Sequence, residues 1–308
     1  MVGEMKKFLI LTQSYNENVG GYIVLHKLCD QINRSGGNAY LFPYIDNFEF
    51  RVSNWVKPLL KFLREQLRRM LPFKVNPAFL TPVLSSISEI KNWNDWIVVY
   101  PEVVFGNPLK AKHIVRWFLH HPGHITGVIY YGDNELYFRI HSGIRPYEST
   151  FSRLSTSELR IVHFPLDLYN ESGISPNRMG TAYCLRKGAG KIIIHDLTDS
   201  ILIDGKSHTE IAEIFKRVKR FISYDVYTTY SGFAVLCGCE SVVIPDLDVT
   251  EEQWLPNPID RYGVSYGFEN LEKSKLTRNL FIERILRDQK NNLSNVSSFI
   301  NETTCYFK

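Results

Sequence analysis

At 308 residues the chain is long for one hydrophobic core and suits two α/β domains of about 150 residues each. An apolar content of 44% with 22% charged residues is that of a globular chain, not a disordered one. A net charge of +4 falls far short of the dense positive charge of a dedicated nucleic-acid binder, so no nucleic-acid partner is expected. The five cysteines, Cys29, Cys184, Cys237, Cys239 and Cys305, form no CxxC pair and no Cys/His ligand spacing. Their odd number fits a reducing, cytoplasmic setting. The apolar run after Lys6 and Lys7 is only about five residues, shorter than the core of a secretory leader. No stretch approaches the roughly 18 apolar residues of a membrane span.

In chain order, residues 7–12 (KFLILT) read as a strand buried on both faces. A polar loop and Gly20-Gly21 lead into a helix over residues 22–33, which Gly36-Gly37 ends, and residues 38–43 (NAYLFP) read as the next strand. Strand, glycine loop, helix and strand in this order make a βαβ unit, hence a parallel sheet. Over residues 55–72 the apolar Trp55, Val56, Leu59, Leu60, Leu63, Leu67, Met70 and Leu71 fall on one helical face and Lys57, Lys61, Arg64, Arg68 and Arg69 on the other. Such a basic amphipathic helix suits either an anionic membrane surface or packing on its own sheet. Further along, a strand is expected at 96–100, a helix at 108–120, and strands at 125–131 and 161–165.

The polar, glycine-rich stretch 170–180 (NESGISPNRMG) reads as a linker. Beyond it the alternation restarts, with strands at 181–185, 192–195, 221–223 and 241–245, helices at 208–220 and 229–238, and a long polar helix from 276. The pattern predicts two Rossmann-like, doubly wound domains, 1–172 and 173–308, with a C-terminal helix.

Parallel α/β sheets bind ligands beyond the carboxyl ends of their strands, which singles out four loops. The first carries Asn18, Gly20 and Gly21 at a helix start, where a phosphate or sugar can approach the backbone. It is neither a GxGxxG fingerprint nor a P-loop. The second carries Glu102, just past a buried strand, a carboxylate placed to act as a base or to hold a sugar hydroxyl. The third carries Arg186 and Lys187, two adjacent cations suited to a phosphate or diphosphate. The fourth, FISYDVYTTYSGFAVLCGCESVVIP, brings Tyr224, Asp225, Thr229, Tyr230 and Ser231 to a helix start, where hydroxyls and free backbone N–H groups make a phosphate cradle. Asp246-Leu247-Asp248 matches the DxD pattern of metal-dependent transferases, but it follows the last parallel strand of its domain, so no metal ligand is assigned. His120-His121-Pro122 reads as the end of a helix, where a cationic His suits the dipole, with a catalytic role as the alternative.

The third and fourth loops resemble bacterial glycosyltransferases of the GT-B fold. The carriers are Arg186-Lys187-Gly188 and Tyr230-Ser231-Gly232-Phe233 with the following Leu236-Cys237-Gly238 and Val242-Val243. The segments LTQSYNENVGGYIVLHKLCDQIN, YPEVVFGNP, VRWFLHHPG and FISYDVYTTYSGFAVLCGC are similar to transferases encoded with lipopolysaccharide core and O-antigen assembly enzymes. The resemblance implies two Rossmann-like domains facing a cleft and a nucleotide-sugar donor held mainly by the C-terminal one. It implies a glycan or lipid-linked glycan acceptor at the inner face of the cytoplasmic membrane, and no cofactor beyond the donor itself. Departures from the large families lie at Tyr230-Ser231, where those have a glutamate, and in the adjacency of Arg186 and Lys187. Glu251 or Glu252 is the nearest candidate for the ribose-binding acid. A retaining reaction needs no dedicated base; for an inverting one Glu102, Asp133 and Glu135 are the candidates. A sugar-nucleotide epimerase or other group transferase on the same frame, and a non-catalytic membrane-associated assembly partner, are the alternatives.

Overall fold

A computed structural model describes residues 6–43 and 72–308. The basic segment expected over 55–72 falls, but for its last residue, outside the described residues. Eleven strands form two parallel sheets among the described residues, so the chain is an α/β protein of Rossmann-like construction. The chain divides into two units, one reaching to Ile161 and regaining Asn291–Lys308, the other running from Val162 to Lys290.

The first unit holds a six-stranded sheet in the order β2-β1-β3-β4-β5-β6, with β1 Lys7–Thr12, β2 Asn38–Pro43, β3 Trp96–Pro101, β4 His113–Phe118, β5 Leu136–Arg139 and β6 Arg153–Glu158. Each central strand reads as a continuous apolar run because both faces are covered. In β1, Phe8 and Ile10 pack with Leu25, Leu28 and Ile32 of α1 (Gly20–Arg34) and with Val296 and Phe299 from the C-terminal helix. On the other face Leu9 and Leu11 meet Leu84, Ile90 and Ala111.

Several expectations for this unit are corrected. The helix expected at 108–120 is strand β4, and all six of its residues, HIVRWF, are buried. Burial on both faces erases the alternation that would have marked it, while Val, Ile, Trp and Phe suit a strand. The strand expected at 125–131 is irregular chain. Gly127 within it has a φ of 75°, and Gly123 just before it one of 77°, a left-handed backbone incompatible with a strand. Residues 161–165 are likewise not a strand; the sheet takes up β5 and β6 instead.

The second unit holds a five-stranded sheet in the order β11-β10-β9-β7-β8, with β7 Thr181–Cys184, β8 Ser200–Leu202, β9 Arg220–Ser223, β10 Glu240–Val243 and β11 Val264–Tyr266. Helices α2 (His208–Arg217) and α3 (Tyr230–Leu236) contribute Ile211, Phe215, Phe233 and Val235 to a core shared with Ala182, Cys184 and Phe221. Ile222, Tyr224, Val242 and Ile244 face the opposite side. Two short helices follow, α4 (Glu251–Trp254) and α5 (Leu271–Leu276), and then α6 (Arg278–Tyr306), the expected C-terminal helix.

The strand expected at 192–195 is a loop, with Ile192 83% exposed, and the edge strand is β8 instead. The expected boundary at 172/173 moves to 161/162 because Phe164 and Tyr169 are part of the second unit's core. The polar stretch after them is tied into the same unit by Arg178, which donates to the carbonyls of Phe215 at 2.7 Å and Val218 at 2.8 Å and to that of Gly238. The C-terminal helix is divided as well: Phe281 and Ile285 belong to the second core, Val296 and Phe299 to the first. Among the described residues no helix is long and apolar enough to cross a membrane.

Candidate functional site

In the second sheet the chain passes from β7 to β8 on one side, then crosses back to β9 and runs outward on the other. The strand order therefore reverses between β7 and β9, and the carboxyl ends of these two strands are where doubly wound sheets take their ligands. The two strands are in register there, Cys184 opposite Ser223, with the thiol and hydroxyl 3.4 Å apart. Burial, reinforced by the nearby Asp204 and Asp225 carboxylates, pushes the Cys184 thiol up to about 12, so it stays protonated and acts as packing.

Immediately after β7, the N–H groups of Leu185 and Arg186 donate to one carboxylate oxygen of Asp204, at 3.1 and 3.0 Å. Arg186 has a φ of 42°, in the left-handed region that costs a non-glycine residue of order 1–3 kcal/mol. The turn Arg186–Gly188 then presses onto the segment after β9: a Cβ on Gly188 would lie 2.0 Å from the Tyr224 carbonyl oxygen. Only glycine permits this approach.

The strained backbone sends the Arg186 side chain towards Asp225 and Tyr230. Its Nε stands 3.7 Å from Asp225 Oδ2, an ion pair longer than a hydrogen bond, and its guanidinium carbon lies 5.1 Å from the Tyr230 ring centre. Asp225 is 4% exposed and its other oxygen accepts the N–H of Tyr227 at 3.2 Å. Burial raises the Tyr230 phenol above its usual value, while Arg186 pulls the other way, leaving a neutral hydroxyl at pH 7. Arg186, Asp225 and Tyr230, from two separated stretches of sequence, thus meet at one switch point.

The other expected members divide. Ser231 is buried in the first turn of α3, its hydroxyl without a hydrogen-bond partner. Thr229 and Lys187 are exposed. Tyr224 points to the opposite face of the sheet, where its hydroxyl accepts the N–H of Ile194 at 2.9 Å and lies 2.8 Å from His195 Nδ1.

Two expectations are corrected. The N–H groups of Ser231, Gly232 and Phe233 are not a free cradle, because they donate to the carbonyls of Thr228 and Thr229 in the turn that opens the helix. Glu251 is engaged by Lys273 at 2.7 Å and Arg261 at 3.1 Å, a structural ion-pair cluster beside Glu252. The acid that does stand at the switch point, Asp204, was missed with strand β8. Its signal was Ile201-Leu202-Ile203 followed by Asp204-Gly205, a short apolar run closing in a turn, with Gly205 at a φ of 81°.

In the first unit the order reverses between β1 and β3. Glu102, the residue after β3, is 5% exposed, and its Oε2 accepts the N–H of Leu119 at 2.9 Å. Asn18 is exposed in the turn before α1, with its N–H on Asn16 Oδ1 at 2.9 Å. Gly20 and Gly21 open the helix; a Cβ on Gly21 would make only ordinary contact, 3.7 Å from Leu119, so packing does not demand glycine there. Asp133 is exposed in the turn before β5. Glu135, by contrast, is fully buried with both oxygens on Arg116 at 2.6 Å, and is a core ion pair in place of the base expected of it.

Among the described residues no three His, Cys, Asp or Glu side chains are grouped as a metal ligand set. No protein-family model matches the chain, and no curated protein matches its sequence.

Proposed function

We propose that the chain is a glycosyltransferase of the GT-B type that moves a sugar from a nucleotide-sugar donor to a cell-surface glycan acceptor of the lipopolysaccharide or O-antigen class. One observation carries the reading: Arg186, Asp225 and Tyr230 assemble at the point where the second sheet's strand order reverses, the place where doubly wound sheets take phosphorylated ligands. The motif resemblance around Arg186-Lys187-Gly188 and Tyr230–Phe233 supplies the reaction class.

In this reading the bond between the anomeric carbon and the phosphate oxygen breaks as the acceptor oxygen bonds to that carbon. The negative charge appearing on the departing nucleoside diphosphate is met by the Arg186 guanidinium, a planar donor, and by the exposed Lys187. The Tyr230 ring and the Asp225 carboxylate both stand by the guanidinium, so the cation is held in place before the donor arrives. The acceptor proton passes to the leaving phosphate in a retaining reaction. In an inverting one it passes to a carboxylate, for which Glu102 and Asp133 stand as candidates.

A thermal-shift panel of UDP-, GDP-, CMP- and dTDP-sugars tests the donor assignment. One sugar nucleotide is expected to raise the melting temperature in a concentration-dependent way, and Arg186→Ala to weaken that binding at least tenfold. Affinity unchanged in Arg186→Ala removes the switch-point assignment. Conversion of the sugar nucleotide without any acceptor removes the transferase class.

A further inference from the structure

Asp225, two residues past the end of β9, is a buried carboxylate with fewer donors than it can use. Its side chain is 4% exposed, and its two oxygens offer about four lone-pair positions to the few groups that reach them. Oδ1 accepts the N–H of Tyr227 at 3.2 Å. Oδ2 accepts no hydrogen bond among the described residues, because the Nε of Arg186, at 3.7 Å, stands beyond hydrogen-bonding distance. Buried polar atoms are paired as a rule, so an unpaired carboxylate oxygen at the ligand-binding edge of a sheet calls for a donor from outside the chain. The approach lies on the Arg186 side, since that side chain is 30% exposed.

The charges beside Arg186 narrow the class of donor. Asp204 sets a second carboxylate against the same residue, its Oδ2 taking the N–H groups of Leu185 at 3.1 Å and Arg186 at 3.0 Å, while its Oδ1 makes no hydrogen bond. Arg186 is thus shared by two carboxylates, and a bare oxyanion meets their repulsion along with the attraction of the guanidinium. A cationic donor is disfavoured by Arg186 itself, and an anionic group has no hydrogen to give. A ligand with a hydroxyl close to its phosphate answers both demands: the O–H donates to Asp225 Oδ2 and the oxyanion accepts from the guanidinium. Since Nε and Oδ2 are only 3.7 Å apart, the two ligand groups stand on adjacent or near-adjacent carbons.

We propose that Asp225 is a hydroxyl-binding acid and that the switch point takes a sugar phosphate, with a sugar hydroxyl on Asp225 and the phosphate on Arg186. The inference rests on the phosphate reading of Arg186 and adds the discriminating group. A phosphate without a nearby hydroxyl leaves Oδ2 unpaired beside another negative charge, so it binds less well. The hydroxyl belongs to the sugar carried on the phosphate or to the ribose of a nucleotide, and its chemistry at Asp225 is the same for both.

Calorimetric titration of the full chain with matched probes tests the assignment. The pairs are glucose 1-phosphate with its 2-deoxy form, and UDP and GDP with their 2′,3′-dideoxy forms; inorganic pyrophosphate, which carries no sugar hydroxyl, is the reference. One pair is expected to lose at least tenfold in affinity with the hydroxyl: the glucose pair where the carried sugar meets Asp225, a nucleotide pair where the ribose does. Asp225→Asn is expected to erase that difference while pyrophosphate binds as before or more tightly, because a negative charge has gone. An equal loss for every probe, pyrophosphate included, marks a disrupted fold and overturns the assignment. A difference that persists in Asp225→Asn overturns it too. So does the lack of a difference in every pair on the unaltered chain, a result that needs no variant to fold. Sugar nucleotides that bind with no hydroxyl effect sink this inference alone. A hydroxyl effect in the glucose pair with no sugar nucleotide bound sinks the transferase reading alone.

Discussion

Arg116 and Glu135 face each other as a two-pronged ion pair, Nε to Oε2 and Nη2 to Oε1 both at 2.6 Å, with neither side chain exposed. The guanidinium also donates to the Gly106 carbonyl at 2.8 Å and to that of Val104, and its carbon lies 4.3 Å from the Tyr131 ring centre and 5.3 Å from that of Tyr100. Glu135 further accepts the N–H of Gly132 at 2.8 Å. The pair thereby fastens β4 to β5 and anchors the loop after β3.

Removing one member of such a pair leaves an uncompensated buried charge, which costs about 3–5 kcal/mol. Glu135→Ala is therefore expected to lower the urea midpoint sharply, with Arg116→Ala doing the same. The double substitution to apolar residues of similar volume is expected to recover much of the loss. A Glu135→Ala protein of unchanged midpoint counts against the structural assignment.

Gly188 is expected to tolerate no side chain. A methyl at this position collides with the Tyr224 carbonyl, and overpacking of this kind costs typically about 1–3 kcal/mol. Gly190, two residues on, has nothing within 4 Å of an added Cβ and serves as the control. Melting temperatures of Gly188→Ala and Gly190→Ala should separate clearly. Should the donor bind at the switch point, Gly188→Ala should also weaken the thermal shift it causes.

Acid is expected to destabilise the fold partly through His121. Its folded value, lowered by burial to about 4, lies below the ordinary 6.5, so between those values the unfolded chain binds more protons. Stability contributed by the neutral ring is complete above pH 6.5 and is lost as pH falls towards 4. Urea unfolding from pH 7 to 4 should show a shallower decline in His121→Gln than in the parent chain, and parallel curves would remove the assignment.

Thiol reactivity should distinguish one cysteine from the other four. Cys305 alone is exposed, while Cys29, Cys184, Cys237 and Cys239 are buried. Burial pushes Cys237 up to about 11 and Cys184 and Cys239 up to about 12, with Cys29 raised as well. A thiolate-specific disulfide reagent is expected to modify one thiol per native chain and all five after unfolding. Rapid modification of more than one native thiol contradicts the packing.

Much of the parallel-sheet framework was legible in the chain itself. Strands β1, β2, β3, β7, β9 and β10 stand where apolar runs between turn residues put them, because strand length and glycine or proline punctuation are local properties. Arg186, Asp225 and Tyr230 were legible for a related reason: each follows a readable strand end, where parallel sheets expose ligand-binding groups. What tertiary structure decided was environment. HIVRWF is a strand only because both its faces are covered, and KIIIHDL is a loop despite its isoleucines. Glu135 became a core anion because Arg116 of β4, 19 residues away in sequence, reaches it at the residue just before β5. Glu251 became part of an ion-pair cluster through Arg261 and Lys273. A carboxylate's role follows from which cation and how much water reach it, and both are set by chain segments that sequence spacing does not bring together.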